Sequence, residues 1–239
     1  MEIKTIRTSS GISRRARLKA FAPFACAALA LCLASCGGAG QTNSNINDSL
    51  PAASGANVKR NVKPEPDAQA VVLEVESGGF SYGRIVIELY PNVAPQMVER
   101  FKRLVQERFY DGIAFHRVNP QTGVVQAGDP NSKDDDPSND GIGGSDYGDV
   151  PAEFSDIPFD RGVVGAARAQ DINSANSQFY ITLRRVPQWD GKYTVFGRVI
   201  EGMDNAQTIA GAPTRPGSEN PADKIIIKSA TLQPRANFK

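Results

Sequence analysis

The chain has 239 residues, 27 Lys/Arg against 26 Asp/Glu, one His and three Cys. A formal charge of +1 argues against a strongly basic nucleic-acid binder, and one His with so few Cys leaves few of the usual tools for covalent or metal chemistry.

The first 35 residues form a secretory signal, with a basic n-region and an apolar run of roughly 15 residues, shorter than the about 20 that a membrane span needs. The run closes on Leu33-Ala34-Ser35-Cys36, which resembles a bacterial lipobox and implies lipidation of Cys36 at the mature N-terminus. The stretch from Ser13 to Lys19 also resembles a twin-arginine export signal, with Arg17 where that pattern has Phe, so the export route stays open. The absence of Asp at Gly37 points to the outer membrane in a two-membrane cell. Cleavage removes Cys26 and Cys32 with six Lys/Arg and one Glu, so the mature chain keeps 21 basic and 25 acidic side chains and has no cysteine left for a disulfide. Residues 36–68, polar and rich in Gly, Ser, Asn and Pro, read as a disordered tether; residues 69–236 are then one domain.

From Ala70 onward, short apolar runs alternate with turns. The runs at 71–76, 84–89, 114–118, 123–128, 162–167, 178–183, 194–199 and 224–232 are eight strand candidates. Met97, Val98, Phe101, Leu104 and Val105 recur at helical spacing after Pro95, and a shorter helix is expected over Met203–Ala210. Eight strands and two helices predict a mainly β protein, a closed eight-stranded antiparallel barrel with the helices capping its ends. Such a barrel is filled by its own side chains, which places any site on the outer wall.

Four blocks then stand in register: "FHRV…VVQAGDP" (115–130), "RGVVGAAR" (161–168), "NSQFYI" (176–181) and "DGKYTVFGRVIEGMD" (190–204). Together they resemble the cyclophilin-type peptidyl-prolyl isomerases, and with the signal the chain resembles a bacterial lipoprotein form of that family. The resemblance implies catalysis of X–Pro bond rotation. Rotation breaks no covalent bond, so it needs no cofactor, metal or nucleophile, only a site that binds the twisted amide better than the planar one. By resemblance Arg117 donates to the prolyl nitrogen, with Gln126 the second catalytic residue. Phe115, Val124, Ala167, Arg168, Gln178, Tyr180, Trp189 and Tyr193 bind substrate. His116 supports the strand.

Three departures stand out. Residues Pro120–Val124 lack the aromatic that walls the family's proline pocket, and Gln188 replaces the Trp of cyclosporin-sensitive members, which implies poor cyclosporin binding. The loop 129–150 is long and acidic; its Asp136-x-Ser138-x-Asp140-Gly141 start matches a calcium loop only in part, since Tyr147 holds the position that requires an acid. The expected partners are proline-containing segments of exported proteins and, through Cys36, the cell-envelope membrane; the expected state is a monomer. The expected function is an isomerase that helps exported proteins fold. The alternative is a catalytically weak module that grips proline-containing peptides.

Overall fold

The computed structural model describes residues 57–239. The signal, Cys36 and most of the expected tether lie outside the described residues. No helix among the described residues is long and apolar enough to cross a membrane.

All eight strand candidates form. They are β1 (Gln69–Ser77), β2 (Phe80–Leu89), β3 (Arg117–Asn119), β4 (Val124–Ala127), β5 (Val163–Ala166), β6 (Phe179–Thr182), β7 (Val195–Glu201) and β8 (Ile226–Pro234), with α1 (Pro95–Gln106) and α2 (Met203–Ala210) between them. They make one antiparallel sheet in the order β3-β4-β6-β5-β7-β2-β1-β8. The inner face is one apolar core: Val125 and Ala127 of β4 and Phe179 and Ile181 of β6 point into it, as period-2 alternation requires. Helix α1 adds Met97, Val98, Phe101, Leu104 and Val105 to that core, and the Phe101 ring meets Phe179 and Phe196 edge-on. The first amides of α1 have no helical partners; the Glu153 carboxylate accepts from those of Gln96 and Met97 at 3.1 and 3.0 Å.

The expected closed barrel is corrected to a curled sheet. Its end strands β3 and β8 form no ladder with each other. The segment before β3 touches β8 at a single bridge, Ala114–Ile226, flanked by the Phe115-to-Ile225 and Ile227-to-Ile113 hydrogen bonds. Once β3 begins, Val118 donates to the carbonyl of Glu219 in the loop before β8, not to β8 itself. That loop is what parts the two edges.

The last part of the expected tether packs against the domain. Lys59 bridges Ser155 and its amine donates to Val93, Asp67 donates to Leu89, and an Asp67–Lys102 ion pair ties the segment to α1. Ordered contacts therefore begin about ten residues before the expected boundary at 69, because these polar groups find backbone and charged partners that composition alone does not reveal.

Candidate active site

The outward residues of β3, β4, β6 and β5 form a row across the sheet. Register places Arg117 opposite Gln126, Gln126 opposite Tyr180, and Tyr180 opposite Gly165. Side chains directly opposite on one face lie within contact distance, so strand pairing alone assembles the site on the outer wall.

Its polar half is a directed chain of donors. Arg117 Nη1 donates to Gln126 Oε1 at 3.4 Å, Gln126 Nε2 donates to Gln178 Oε1 at 2.9 Å, and Gln178 Nε2 donates to the carbonyl of Gly143 at 2.8 Å. Arg117 Nε donates to the Glu219 carboxylate. The Arg117 side chain is only 12% exposed, yet it lines an open cavity of about 840 Å³ together with Gln126, Gln178, Ala167 and Arg168. The loop 129–150 supplies the opposite rim. Asp129, fully buried, organises that loop by accepting from the amides of Asn131, Gly141 and Gly143.

The apolar half is closed. Val124, Tyr180, Trp189 and Tyr193 pack with Phe159, Val163, Ala167, Val186 and Val195 in a second cluster. Tyr180 and Trp189 stack edge-on at 5.0 Å and Trp189 and Tyr193 lie 5.5 Å apart, leaving Trp189 5% and Tyr180 1% exposed. The Arg168 guanidinium lies 4.7 Å from the centre of the Tyr193 ring and donates to the carbonyls of Ala169 and Lys192, so it caps the cluster at the cavity edge.

The turn that lacks the aromatic is covered by another side chain. Gly123, at φ +78°, sits beneath Arg184: a side chain there would collide with Arg184 Cγ at 2.5 Å, and Arg184 donates to the carbonyl of Gln121. The aliphatic stem of Arg184 thus occupies the space over the turn. Gly165 makes room in the same way for the tip of Tyr180, whose Cζ would lie 2.5 Å from an added Cβ.

Of the residues expected at the site, Arg117, Gln126, Ala167, Arg168 and Gln178 line the cavity together; Val124, Tyr180, Trp189 and Tyr193 lie beside it in the closed cluster. Phe115 is a correction: it is fully buried in the main core, because the irregular backbone before β3 breaks strand parity and turns Phe115 inward while Arg117 faces out. His116 is buried, with only a minor contact to the Ala114 backbone, and desolvation pushes its pKa down to about 4, so it stays neutral at pH 7. Gln188 is exposed and Trp189 is turned inward. Among the described residues, no cluster of three His, Cys, Asp or Glu could hold a metal ion.

Sequence reading missed Glu219, Asn220 and Arg184, none of which belongs to a motif block, and took Asp140 only as part of a partial calcium-loop start. The partners of Arg117 and Asn119 in the loop before β8 are about 100 residues away in sequence, and no periodicity signals such a meeting.

Residues 71–232 match the family model described as cyclophilin type peptidyl-prolyl cis-trans isomerase/CLD. A probable peptidyl-prolyl cis-trans isomerase of Brucella suis biovar 1 is 48% identical over 156 residues, covering 63% of this chain and 78% of that one. The isomerase ppi1 of Schizosaccharomyces pombe is 39% identical over 157 residues, 64% of this chain and 95% of that one. A crystal structure of a cyclophilin-type isomerase of Cryptosporidium parvum, 30% identical, superposes with a TM-score of 0.60 over 69% of this chain and 97% of its own. A second crystal of that protein, grown in the presence of the dipeptide Ala-Pro, matches equally well.

Proposed function

The chain belongs to the cyclophilin-type peptidyl-prolyl cis-trans isomerases, and from that premise we propose that Arg117 is the transition-state donor and that the enzyme serves exported proteins. The barrier to X–Pro rotation, about 18–20 kcal/mol, comes from amide resonance. As the bond twists, the prolyl nitrogen regains a lone pair that can accept a hydrogen bond. A guanidinium holds its protons at every physiological pH and offers fixed donors, which suits it to meet that lone pair. Lowering the barrier by about 7 kcal/mol would accelerate exchange roughly 10⁵-fold, and a preorganised donor supplies several of those kcal/mol.

The observation that carries this reading is the row Arg117–Gln126–Gln178. Glu219 and Gln126 hold two edges of the Arg117 guanidinium, and Nη2 is left, among the described residues, without a protein partner beside the cavity. Gln126 and Gln178 are placed to hydrogen-bond peptide backbone. Ala167 and Arg168 border the path of the residues before the proline, and the proline ring itself would rest against Val124 and Tyr180.

The Arg117 reading is tested by protease-coupled isomerisation of X–Pro tetrapeptides with the full chain and its Arg117→Ala variant. The expected result is a kcat/KM lower by about 10²–10³-fold in the variant with an unchanged circular dichroism spectrum. A variant as fast as the parent would sink the assignment.

A second reading, a catalytically weak module that grips proline-containing peptides, is favoured by the closed state of the aromatic cluster. In that case the same substitution lowers affinity with no rate to lose. The export role rests on the signal and on lipidation of Cys36, and the mass of the mature N-terminus reads it directly: an acylated Cys36 supports it and an intact Met1 removes it.

A further inference from the structure

The loop 211–225 lies outside every motif block, yet it reaches the centre of the site. It is held by its own bonds: Arg215 donates to the carbonyl of Asn220 at 2.9 Å, Ala222 donates to Pro213 at 2.7 Å, and the Asn220 amide donates to Ser218 Oγ at 2.9 Å. From this frame Glu219 points at β3. One carboxylate oxygen accepts from Arg117 Nε and the other from Asn119 Nδ2. Arg117 and Asn119 are alternate residues of β3 and share its outer face. Asn119 is fixed in turn, since its side-chain oxygen accepts from the Thr122 amide at 2.7 Å and its carbonyl from Gly123 at 2.8 Å. The backbone of Glu219 is tied to the same strand through the Val118 hydrogen bond, and Asn220 reaches the opposite rim by donating to Asp140 at 3.2 Å.

A guanidinium on a long flexible stem has many rotamers, and only a few bring a chosen N–H to one point in a cavity. A carboxylate on Nε fixes one edge of the fork and the rotation of its plane, and Gln126 fixes Nη1. Nη2 is then left without a hydrogen-bond partner among the described residues, on a side chain that lines the cavity. Because Asn119 donates to the other oxygen, the carboxylate cannot swing away with the arginine.

We propose that Glu219 is the positioning residue for Arg117 in isomerisation, holding the guanidinium so that Nη2 is aimed at the prolyl nitrogen of the twisted amide. The assignment rests on the reading of Arg117 as transition-state donor. It makes Glu219 a residue that acts on turnover, because it works through the Arg117 guanidinium that meets the twisted amide and through Asn119.

The test measures kcat and KM separately for the full chain and for Glu219→Ala, Glu219→Gln, Arg117→Ala and the double variant Arg117→Ala/Glu219→Ala. Glu219→Ala is expected to lower kcat by about 10–100-fold with KM within about twofold, the size of effect that a small misplacement of a catalytic group produces. Glu219→Gln, whose amide oxygen still accepts from Nε while its NH2 faces the Asn119 donor, keeps one of the two bonds and is expected to fall between the parent and Glu219→Ala in kcat. The double variant should be no slower than Arg117→Ala alone, because a residue acting only through Arg117 has nothing left to act on. In ¹⁵N spectra the Arg117 Nε–H signal should be sharp and slow to exchange in the parent and in Glu219→Gln, and lost in Glu219→Ala. Should the alanine variant fail to fold, Glu219→Asp replaces it: one methylene shorter, it cannot reach Arg117 and Asn119 together and should lose kcat likewise. Parental kcat in Glu219→Ala or Glu219→Asp, or a further loss in the double variant, overturns the inference while leaving Arg117 in place. Full activity in Arg117→Ala removes the premise itself and the inference with it.

Discussion

Two halves of one wall, built on the same strands, have opposite character. On β4, Gln126 faces an open polar cavity, while Val124, two residues earlier on the same face, lies in the closed aromatic cluster. Gln178, just before β6, and Tyr180 within it divide in the same way. The polar half is held by hydrogen bonds in series, Arg117 to Gln126 to Gln178 to Gly143; the apolar half is held by ring packing among Phe159, Tyr180, Trp189 and Tyr193. Hydrogen bonds beside an open cavity can exchange with water or substrate at little cost, whereas close-packed rings cannot part without leaving a void. The polar half is therefore free to do chemistry and the apolar half carries stability.

The largest expected effect separates those roles. Trp189→Ala should lower unfolding free energy by about 3–5 kcal/mol in urea, because the cavity left in a packed cluster adds to the lost transfer energy. Gln178→Ala should cost no more than about 1 kcal/mol in stability but should slow turnover, since it breaks the donor chain from Arg117. A Trp189→Ala protein as stable as the parent would mean that the cluster opens readily and is a pocket rather than a support.

The second prediction concerns charge on the polar side, where one buried and one half-buried group titrate with opposite sign. Desolvation lowers the His116 pKa from 6.5 to about 4. Folding favours the neutral ring, so its contribution is complete above pH 6.5 and is lost as pH falls toward 4; two to three pKa units correspond to about 3 kcal/mol as an upper bound. Asp140 behaves the other way. Desolvation, and then the neighbouring Asp129, raise its pKa from 3.8 to about 6. The protonated acid is favoured by folding, so Asp140 costs stability as pH rises from 3.8 through 6. Asp140 is only half-buried, so its cost is about 1 kcal/mol after screening. Urea midpoints between pH 7 and 4 check both signs. His116→Gln should abolish the acid loss, and Asp140→Asn, which keeps an acceptor for Asn220, should raise the midpoint at pH 7 and leave a steeper fall toward pH 4. Parallel pH curves for parent and variants would show that neither group is buried in the way the geometry implies.

How much of this was legible in the sequence follows from the range of each interaction. The eight strands and both helices were legible because alternation and helical spacing are local. Arg117, Gln126 and Gln178 were legible because they sit inside motif blocks. The closed barrel was not, since whether β3 meets β8 depends on a loop carbonyl at Glu219 that intervenes between them. Phe115 was misplaced because the resemblance put it near the pocket, whereas the irregular backbone before β3 turns it into the main core. Arg184 over Gly123 and Glu219 on Arg117 are meetings between distant segments with no pattern to mark them. Motifs name the groups that a site keeps, and tertiary contacts decide what else is allowed near them.

The smallest expected effect falls on a residue that joins the two halves. Tyr180 is the cross-strand partner of Gln126 and also the centre of the aromatic cluster, where its ring meets Phe159, Trp189 and Tyr193. Its hydroxyl is buried over Gly165 without a hydrogen-bond partner, and desolvation raises its pKa well above the usual tyrosine value. A buried hydroxyl with nothing to bond costs free energy that a ring hydrogen does not. Tyr180→Phe keeps the ring and removes that cost, so it should raise stability by about 1 kcal/mol and leave kcat/KM within twofold. The comparison between the halves turns on the outcome. A more stable, equally active variant puts Tyr180 with the supporting rings. A variant that is stable but slow gives the hydroxyl a partner in the peptide-bound state, and the apolar half then opens toward substrate during turnover.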